Sequence, residues 1–356
     1  MEEFIISGIQ QIGIGVPNVQ EAWKWYRQNF GMDIRIFEES AIAELMLPYT
    51  GGQPQKRHAV LALNLKGGGG FEIWQYKERK PLPPKKGIEM GDLGIFAAKI
   101  KSDNVAKAHD TFSGKGYEVT RLGEDPAGRP NFFVRDIYNN FFEIVQGNGW
   151  FRKEKKLTGA AAGAVIGVTD IDKAREVYSG ILRYDKVVYD KKGKFTDFSD
   201  IPGGDAEFRR VALSHSRPWE GGFSRIFGPS SIELVQVINK SPRKIYEDRF
   251  WGDLGFIHLC YDITGMDRLK EICSEKGFPF TVDSYEKHES GFDMGEAAGH
   301  FSYIEDPDGT LIEFVETHKI PIIKKLGWYI NLKGRDPRKP LPNWILKALR
   351  FGRVKD

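Results

Sequence analysis

The sequence has very little cysteine and no long apolar run. Cys260 and Cys273 are the only cysteines among 356 residues, which excludes a fold held together by a disulfide framework. No apolar stretch is long enough to cross a bilayer, and the first residues, MEEFIISG, are acidic where a signal peptide would be basic. We therefore expect a cytoplasmic protein.

The sequence also lacks a strong excess of charge of one sign. Its net charge of +3 is too near balance to indicate a nucleic-acid partner, so we expect none. The length of 356 residues suggests about two domains of ordinary size.

What the sequence does contain is an internal repeat. GDLGIFAAKIKS begins at Gly91 and GDLGFIHLCYDI begins at Gly252, and both stretches become apolar after the shared GDLG. IGVPNVQEAWKWY, from Ile14, matches IGVTDIDKAREVY, from Ile166, in the same way. Such repetition indicates that the chain consists of two halves, each made of two similar units. Because the two similar halves of one chain can pair with each other, a single chain can be complete, and we expect a monomer or a homodimer.

Each unit has the same predicted order of elements. A short apolar strand precedes a helix, and strands separated by turn residues follow, which predicts a βαβββ module. A single module has an open sheet edge, whereas two modules together can curl into a cup and bury it. We therefore predict an α+β fold of four βαβββ modules paired into two cup-shaped barrels, with helices that start near Asn18, Ser102, Asp170 and Thr264.

The repeat also predicts where the domains begin and end. The predicted parts are a first domain at residues 1–150 (modules about 1–88 and 89–150), a second domain at residues 151–318 (modules about 158–248 and 249–318), and a basic strap and helix at residues 319–356.

The last strand of every module carries a glutamate at the equivalent place, namely Glu72, Glu143, Glu233 and Glu313. Each glutamate alternates with apolar residues, so the two-residue period of a strand puts it on their face. If that face pointed outward, the glutamates would simply be solvated, but four in register favour an inward face. A bare carboxylate inside a cup is costly and requires a metal, a cation or a strong donor.

The matching place on the first strand differs between the modules. It holds Gln11 in the first module, Ala97 in the second, Gly163 in the third and His258 in the fourth. A lone histidine on an apolar strand is usually a core residue with satisfied hydrogen bonds. His258 is a better candidate for a ligand, because its position lines up with those of the glutamates.

Three stretches resemble one known superfamily. GIQQIGIGV, FEIWQ and DPDGTLIEF, together with the βαβββ repeat, are similar to the vicinal oxygen chelate superfamily, over about residues 5 to 318. That superfamily includes glyoxalase I, extradiol dioxygenases, methylmalonyl-CoA epimerase and resistance proteins. The resemblance specifies the fold well and the reaction poorly, since this fold hosts several chemistries. It implies a small molecule as the partner.

The pairing of the modules decides which residues share a site. If the modules pair in chain order, both sites are incomplete. If the halves exchange partners, as in fused two-fold glyoxalases, the first and fourth modules supply Gln11, Glu72, His258 and Glu313. This set resembles the Gln/Glu/His/Glu ligands of some glyoxalase I enzymes. The second and third modules then supply Ala97, Glu143, Gly163 and Glu233, which lack an imidazole. We favour the exchange and expect no catalytic metal at the second site.

The resemblance implies a divalent ion at Gln11, Glu72, His258 and Glu313. Two carboxylates, an amide oxygen and an imidazole suit Zn, Ni, Mn, Co or Fe. Such an ion binds two neighbouring substrate oxygens and stabilises an enediolate, while Glu313 or Glu72 acts as the base. We therefore expect glyoxalase I-like lyase or isomerase chemistry on a small oxygenated substrate.

Two alternatives remain open. Tyr303, ten residues before Glu313, resembles a tyrosine of extradiol and hydroquinone dioxygenases, which would make it catalytic in ring cleavage. It is otherwise an aromatic residue of the barrel wall. His300, on the opposite face of the same strand, would support the site from behind or lie at the surface. The second alternative is a protein that binds a ligand without turnover, in a pocket lined by aromatic residues: Trp74, Tyr76, Trp219, Phe223 and Trp251.

The basic tail follows the repeat. Within NWILKALRFGRV, helical spacing relates Trp344, Leu346, Leu349 and Phe351. A basic amphipathic helix can lie on an anionic membrane, but such an end more often packs across a groove of its own protein, and we favour packing.

Overall fold

Four successive segments of the chain repeat the predicted order of a strand, a helix and further strands. The computed structural model describes residues 4–286, 292–293, 298–323 and 328–355. The elements of the first half are β1 (Ile5–Gly15), α1 (Val19–Phe30), β2 (Ile34–Ala43), β3 (Gln55–Leu63) and β4 (Gly70–Tyr76), followed by β5 (Gly94–Ser102), α2 (Val105–Gly114), β6 (Gly123–Glu124), β7 (Pro130–Arg135) and β8 (Phe141–Gln146).

The second half repeats this order with small additions. Its elements are β9 (Thr158–Gly167), α3 (Ile171–Tyr178), β10 (Lys186–Gly193), β11 (Phe208–Ser214), α4 (Ser224–Phe227) and β12 (Ser231–Val237), then β13 (Gly255–Thr264), α5 (Met266–Glu275), β14 (Val282–Asp283), β15 (Phe292–Asp293), β16 (Ala298–Glu305) and β17 (Leu311–Ile323), and finally β18 (Trp328–Asn331) and α6 (Asn343–Ala348). Short 3₁₀ helices lie at Leu47–Tyr49, Thr196–Phe198, Ser284–Glu286 and Leu349–Gly352.

The four long helices of the modules begin one to three residues after their predicted starts. The side chain of Asn18 caps α1 by accepting hydrogen bonds from the N–H groups of Gln20 and Glu21. Asn104 and Asp170 cap α2 and α3 in the same way, and α5 follows Gly265. Polar side chains therefore cap the first three of these helices, whereas α5 has no side-chain cap.

Two curled sheets form the molecule, and each joins modules from opposite halves of the chain. The first sheet has the order β14-β16-β17-β13-β1-β4-β3-β2, with β15 and β18 paired at its side. The second has the order β10-β11-β12-β9-β5-β8-β7-β6. The first sheet thus combines modules one and four, and the second combines modules two and three. The α+β fold and the exchanged pairing are confirmed, and pairing in chain order is wrong. The predicted domain boundary at residue 150 falls between β8 and β9 and remains a proposal.

The largest core lies between the helices and the faces of both sheets that point away from the cups. Ile12 and Ile14 of β1 pack in this core with Trp25, Tyr26 and Phe30 of α1. Because side chains alternate along a strand, Gln11 and Gly13 point to the opposite face, into the first cup. The core therefore fixes which residues face the cup interior.

The C-terminal segment packs on residues of the first and third modules, in line with the favoured packing across a groove. Ile345 and Leu346 of α6 are buried in a cluster with Leu63, Leu65 and Phe227. The predicted apolar stripe is only partly right, because Trp344 and Phe351 stay exposed instead of packing inward. None of the helices in the described part of the chain combines the length and apolar character needed to cross a bilayer.

Candidate metal centre

Four side chains that are distant in sequence meet inside the first cup. The parallel pairing of β1 and β4 sets Gly13 beside Glu72, and the antiparallel pairing of β1 and β13 sets Gly13 beside His258. Two residues further along β13, Cys260 has Gln11 of β1 on one side and Glu313 of β17 on the other. The register of three strand pairs therefore brings the four predicted ligands to one place.

The distances between these side chains are short. The Nε2 atom of His258 lies 3.1 Å from Oε2 of Glu313 and 3.5 Å from Oε2 of Glu72. The Nε2 atom of Gln11 donates a hydrogen bond of 3.4 Å to Oε2 of Glu313. One ligand atom from each of Glu72, His258 and Glu313 lies within 4.8 Å of the others. Such spacing is close enough for all three to approach one ion.

One polar atom at this place is buried without a partner. Oε1 of Gln11 makes no hydrogen bond to any described residue, and Nε2 of His258 makes none of good geometry, although it lies 3.1 Å from Oε2 of Glu313. Buried polar atoms are rarely left unsatisfied, so the amide oxygen indicates a missing partner. The amide oxygen and the imidazole nitrogen are both donor atoms that a divalent ion accepts, and the two adjacent carboxylates complete a hard-to-borderline set. The residues present therefore fit a divalent metal ion.

The site is closed on one side and slightly open on the other. The side chain of His258 is fully buried, whereas those of Glu72 and Glu313 keep 11% and 10% of their surface exposed. A small molecule would therefore reach this place past the two carboxylates.

A glycine makes room for the imidazole. A Cβ atom at Gly13 would lie 2.5 Å from Cε1 of His258 and 2.8 Å from each ring nitrogen, which is closer than real Cβ contacts. The flat face of the imidazole thus rests directly on the backbone of β1. The position equivalent to Gly13 in the second cup is Val165.

The buried charges shift one another's pKa. Burial raises the pKa of Glu72, and the nearby charge of Glu313 raises it further. Burial also opposes ionisation of Glu313, but the charge and hydrogen bond of His258 outweigh burial and lower its pKa. For His258, burial favours the neutral ring, yet Glu313 and Glu72 together raise its pKa. Without an ion, the imidazole is thus the cation that the carboxylates attract.

Tyr303 lies beside the imidazole. Its hydroxyl is 3.5 Å from Nδ1 of His258, and the side chain is almost completely buried. Burial raises the pKa of Tyr303 well above its ordinary value, and the charge of Glu313 adds to this rise. Tyr303 is therefore a neutral phenol that contacts the nitrogen of His258 opposite the candidate ligand atom.

His300 lies outside the cup, as alternation along β16 predicts. Its Nε2 atom is 2.6 Å from Oδ1 of Asp283, and its ring stacks on Tyr285 with a centroid distance of 3.8 Å. His300 is buried, so the alternative of a surface position is wrong.

Three of the five predicted pocket aromatics line the first cup. Trp74, Tyr76 and Trp251 pack together near Tyr303. The other two lie elsewhere: Trp219 packs on Tyr184 and His215, and Phe223 belongs to the cluster around α6.

The second cup holds protein cations between its glutamates. Nζ of Lys99 lies 2.7 Å from Oε2 of Glu233 and also forms an ion pair with Glu143. Arg210 donates to Glu233 at 2.7 Å and to Asp197 at 2.7 and 2.9 Å. All of these side chains are buried. The two inward glutamates of this cup are therefore neutralised by the chain itself.

Neither Lys99 nor Arg210 was among the residues predicted from the sequence. The signal that could have found Lys99 is a lysine in the middle of the apolar strand GIFAAKIKS, two residues after Ala97. The equivalent positions in the first cup are Cys260 for Lys99 and Ala59 for Arg210. Where the second cup has cations, the first thus has small neutral residues beside an equivalent pair of carboxylates.

The comparisons with known proteins agree with this architecture. Residues 8–144 match the family model described as the Glyoxalase/Bleomycin resistance protein/Dioxygenase superfamily. The match covers β1 to β8, the first two modules of the chain. A search of curated protein sequences finds no match.

Solved structures of this superfamily's fold are similar to the chain over most of its length. Glyoxalase I from Zea mays is 12% identical, with a TM-score of 0.54 over 97% of this chain and 96% of that one. A putative dioxygenase from Bacillus subtilis is also 12% identical, with a TM-score of 0.55 over 88% and 86% of the two chains. At this identity the likeness concerns the fold alone.

Proposed function

We propose that the protein is a divalent-metal-dependent enzyme that removes a proton beside a carbonyl group of a small oxygenated substrate, in the manner of glyoxalase I. One observation carries this proposal. The first cup has two buried carboxylates, an imidazole nitrogen within 3.5 Å of both and an unpartnered amide oxygen, whereas the second cup fills the equivalent space with Lys99 and Arg210. In the first cup a metal ion would take the place that these protein cations hold in the second, and the imidazole of His258 would then act as a neutral ligand.

In this proposal Gln11, Glu72, His258 and Glu313 hold the ion. When bound, the ion supplies a positive charge that stabilises the negative charge developing on two neighbouring substrate oxygens. Tyr303, next to Nδ1 of His258, holds the ring so that Nε2 faces the ion. The aromatic wall around Trp74 and Trp251 keeps water away from the reacting carbon.

Glu72 is the better placed of the two carboxylates to take the proton. Glu313 is held by His258 at 3.1 Å and by Gln11 at 3.4 Å. Among the described residues, His258, at 3.5 Å, is the single side chain whose nitrogen lies this close to the carboxylate of Glu72. Because Glu72 is less restrained, it can turn toward a substrate C–H bond while Glu313 remains in place. Glu313 is the alternative base.

Exchange of hydrogen for deuterium tests the reaction class without knowledge of the substrate. The metal-loaded protein is incubated in D₂O with a panel of small α-hydroxy carbonyl compounds, and loss of the C–H signal is followed by NMR. We expect exchange that stops when a chelator removes the metal. Glu72→Gln should slow exchange about 10²–10⁴-fold, the usual contribution of a general base. The exposed Glu78→Gln should exchange like the wild type.

Ring cleavage is the second candidate, because the Tyr303 hydroxyl lies so near the imidazole. It predicts oxygen consumption with a catechol or hydroquinone instead of proton exchange. A site with one imidazole fits it less well than the proposed reaction. If metal is bound but neither reaction occurs with any compound of the panels, a ligand-binding protein is the better description.

A further inference from the structure

We propose that the C-terminal helical segment, residues 343–352, docks on an anionic lipid surface through Trp344 and Phe351. The side chains of these two residues are 62% and 78% exposed. Every other exposed large apolar side chain in the described part of the chain is aliphatic and at most 48% exposed. Two large aromatic rings in water are costly, so this face of the segment suits a partner.

The segment is held rigidly in place, which makes the exposure of these rings a property of the fold. Ile345 and Leu346 are buried against residues of the first and third modules. The N–H group of Leu341 donates to Gly222, and that of Val354 donates to Asp33, both at 2.8 Å. Both ends of the segment are thus hydrogen-bonded to the body of the protein, and its buried side chains leave Trp344 and Phe351 on the outer side.

Cations lie between and beside the two rings. Trp344 and Phe351 are seven residues apart, about two helical turns, so they lie on nearly the same side. Lys347 is placed between them, three residues after the first ring and four before the second. The guanidinium group of Arg350 lies 5.2 Å from the Phe351 ring centre. Neither Lys347 nor Arg350 forms an ion pair with any carboxylate that the structure describes.

The distribution of charge favours an anionic partner. Residues 319–356 contain eleven Lys and Arg against two Asp, a net charge of +9, whereas the rest of the chain carries −6. Arg338 and Arg353 pair with carboxylates of the body, and a net positive charge remains on the segment after these pairs. Two such surfaces would repel each other, which disfavours a second copy of the chain. The cores of protein–protein interfaces are depleted in lysine, so two aromatic rings with a lysine between them also disfavour a protein partner.

A lipid surface matches each of these features. Tryptophan favours the boundary between acyl chains and headgroups, and lysine and arginine beside it bind anionic headgroups. Since the segment lies flat on the protein, it would bring the first module toward the membrane without crossing it.

Vesicle sedimentation with the full-length protein tests this proposal. We expect binding to vesicles of phosphatidylcholine with about one third phosphatidylserine, weak binding to phosphatidylcholine alone, and a decline with added salt. The double variant Trp344→Ala, Phe351→Ala should bind about tenfold more weakly or worse. Lys347→Glu, Arg350→Glu should lose a comparable amount. The matched control is Leu122→Ala, Val187→Ala, which removes two exposed apolar side chains elsewhere and should change binding less than about twofold.

Thermal melts and metal content show whether each variant is folded, because the substituted side chains are exposed and distant from the cup. The proposal is wrong if the folded wild type does not bind the anionic vesicles, or if the aromatic double variant binds them equally well. It is also wrong if that variant loses self-association, or binding to a single-stranded RNA oligonucleotide, while vesicle binding is unchanged.

Discussion

At the residue scale, the candidate metal centre depends on the absence of a side chain at Gly13. The imidazole of His258 occupies the space that a Cβ atom at Gly13 would take, and the second cup has Val165 there together with Ala97 in place of the histidine. In each cup these two positions face each other across paired strands. A glycine faces the large histidine in the first cup, and a valine faces the small alanine in the second. The matching indicates that the backbone of β1 is shaped around the imidazole.

Gly13→Ala should weaken metal binding. The new Cβ would lie 2.5 Å from Cε1 of His258, so the ring must move and Nε2 loses its alignment. We expect at least about a tenfold loss of affinity in a competitive titration with a fluorescent chelator, and a loss of about 1–3 kcal/mol in the free energy of unfolding. Gly87→Ala is the control, since a Cβ there meets nothing within 4 Å. Equal affinities for both variants would contradict the role of Gly13.

Asp262 gives the protein a pH-dependent stability that a single substitution can isolate. Burial raises its pKa from the ordinary value to about 7, against hydrogen bonds from Ser7 and Gln10 that lower it. The unfolded chain loses this proton near pH 4, whereas the folded chain keeps it up to about pH 7. At Asp262 the folded state therefore binds more protons between these values, and the contribution of this residue to the free energy of unfolding falls as pH rises through this window.

Asp262→Asn should remove this contribution. The full shift corresponds to about 4 kcal/mol across the window, and other buried acids, such as Asp306, contribute in the same direction. Urea unfolding at a series of pH values should therefore show the variant gaining stability relative to the wild type as pH rises from about 4 to about 7. A constant difference between the two proteins over this range would show that Asp262 does not titrate there.

At the element scale, two sheets with the same register satisfy inward glutamates in two ways. In the second cup Lys99 bridges Glu143 and Glu233, and Arg210 adds a second cation. In the first cup the equivalent residues are Cys260 and Ala59, so the carboxylates there have the imidazole of His258 as their neighbouring base, and we propose a metal ion as their cation. The second cup is thus stabilised by its own charges, independent of any metal.

Lys99→Met should destabilise the protein strongly. It leaves two buried carboxylates with a single guanidinium, and removal of one partner from a buried ion pair costs about 3–5 kcal/mol. Lys56→Met is the matched control, because the Lys56–Glu78 pair is more than half exposed, and we expect a change of at most about 1 kcal/mol. Denaturant unfolding measures both. A similar small change in the two variants would mean that Lys99 does not hold the second cup together.

Much of the element-level arrangement follows from the sequence, because the repeat and the two-residue period fix the inward face. Glu72, Glu143, Glu233 and Glu313 could be placed in register from their apolar neighbours alone. The ion pairs of the second cup could not be predicted in this way, since Lys99 is two positions beyond Ala97, the residue that aligns with His258. Which cation a carboxylate meets depends on side-chain reach across strands, and a strand pattern does not contain that distance.

At the scale of the whole molecule, the exchange of modules makes each cup depend on both halves of the chain. Gln11 and Glu72 come from the first module, and His258 and Glu313 come from the fourth. The exchange could be inferred from the sequence because only this combination unites an imidazole with two carboxylates and an amide. The exposed face of residues 343–352 could not be predicted from the sequence, because helical spacing does not reveal which face of a helix packs against the protein.

Elemental analysis of the purified protein tests the central claim most directly. We expect one equivalent of a divalent transition metal per chain, bound at the first cup only. His258→Ala should remove it and leave the fold intact, since Ala97 occupies the equivalent place in the second cup. His109→Ala, which changes a histidine on α2, should retain the full equivalent. Two equivalents per chain, or one equivalent that survives in a folded His258→Ala variant, would contradict the assignment of Gln11, Glu72, His258 and Glu313 as the metal ligands.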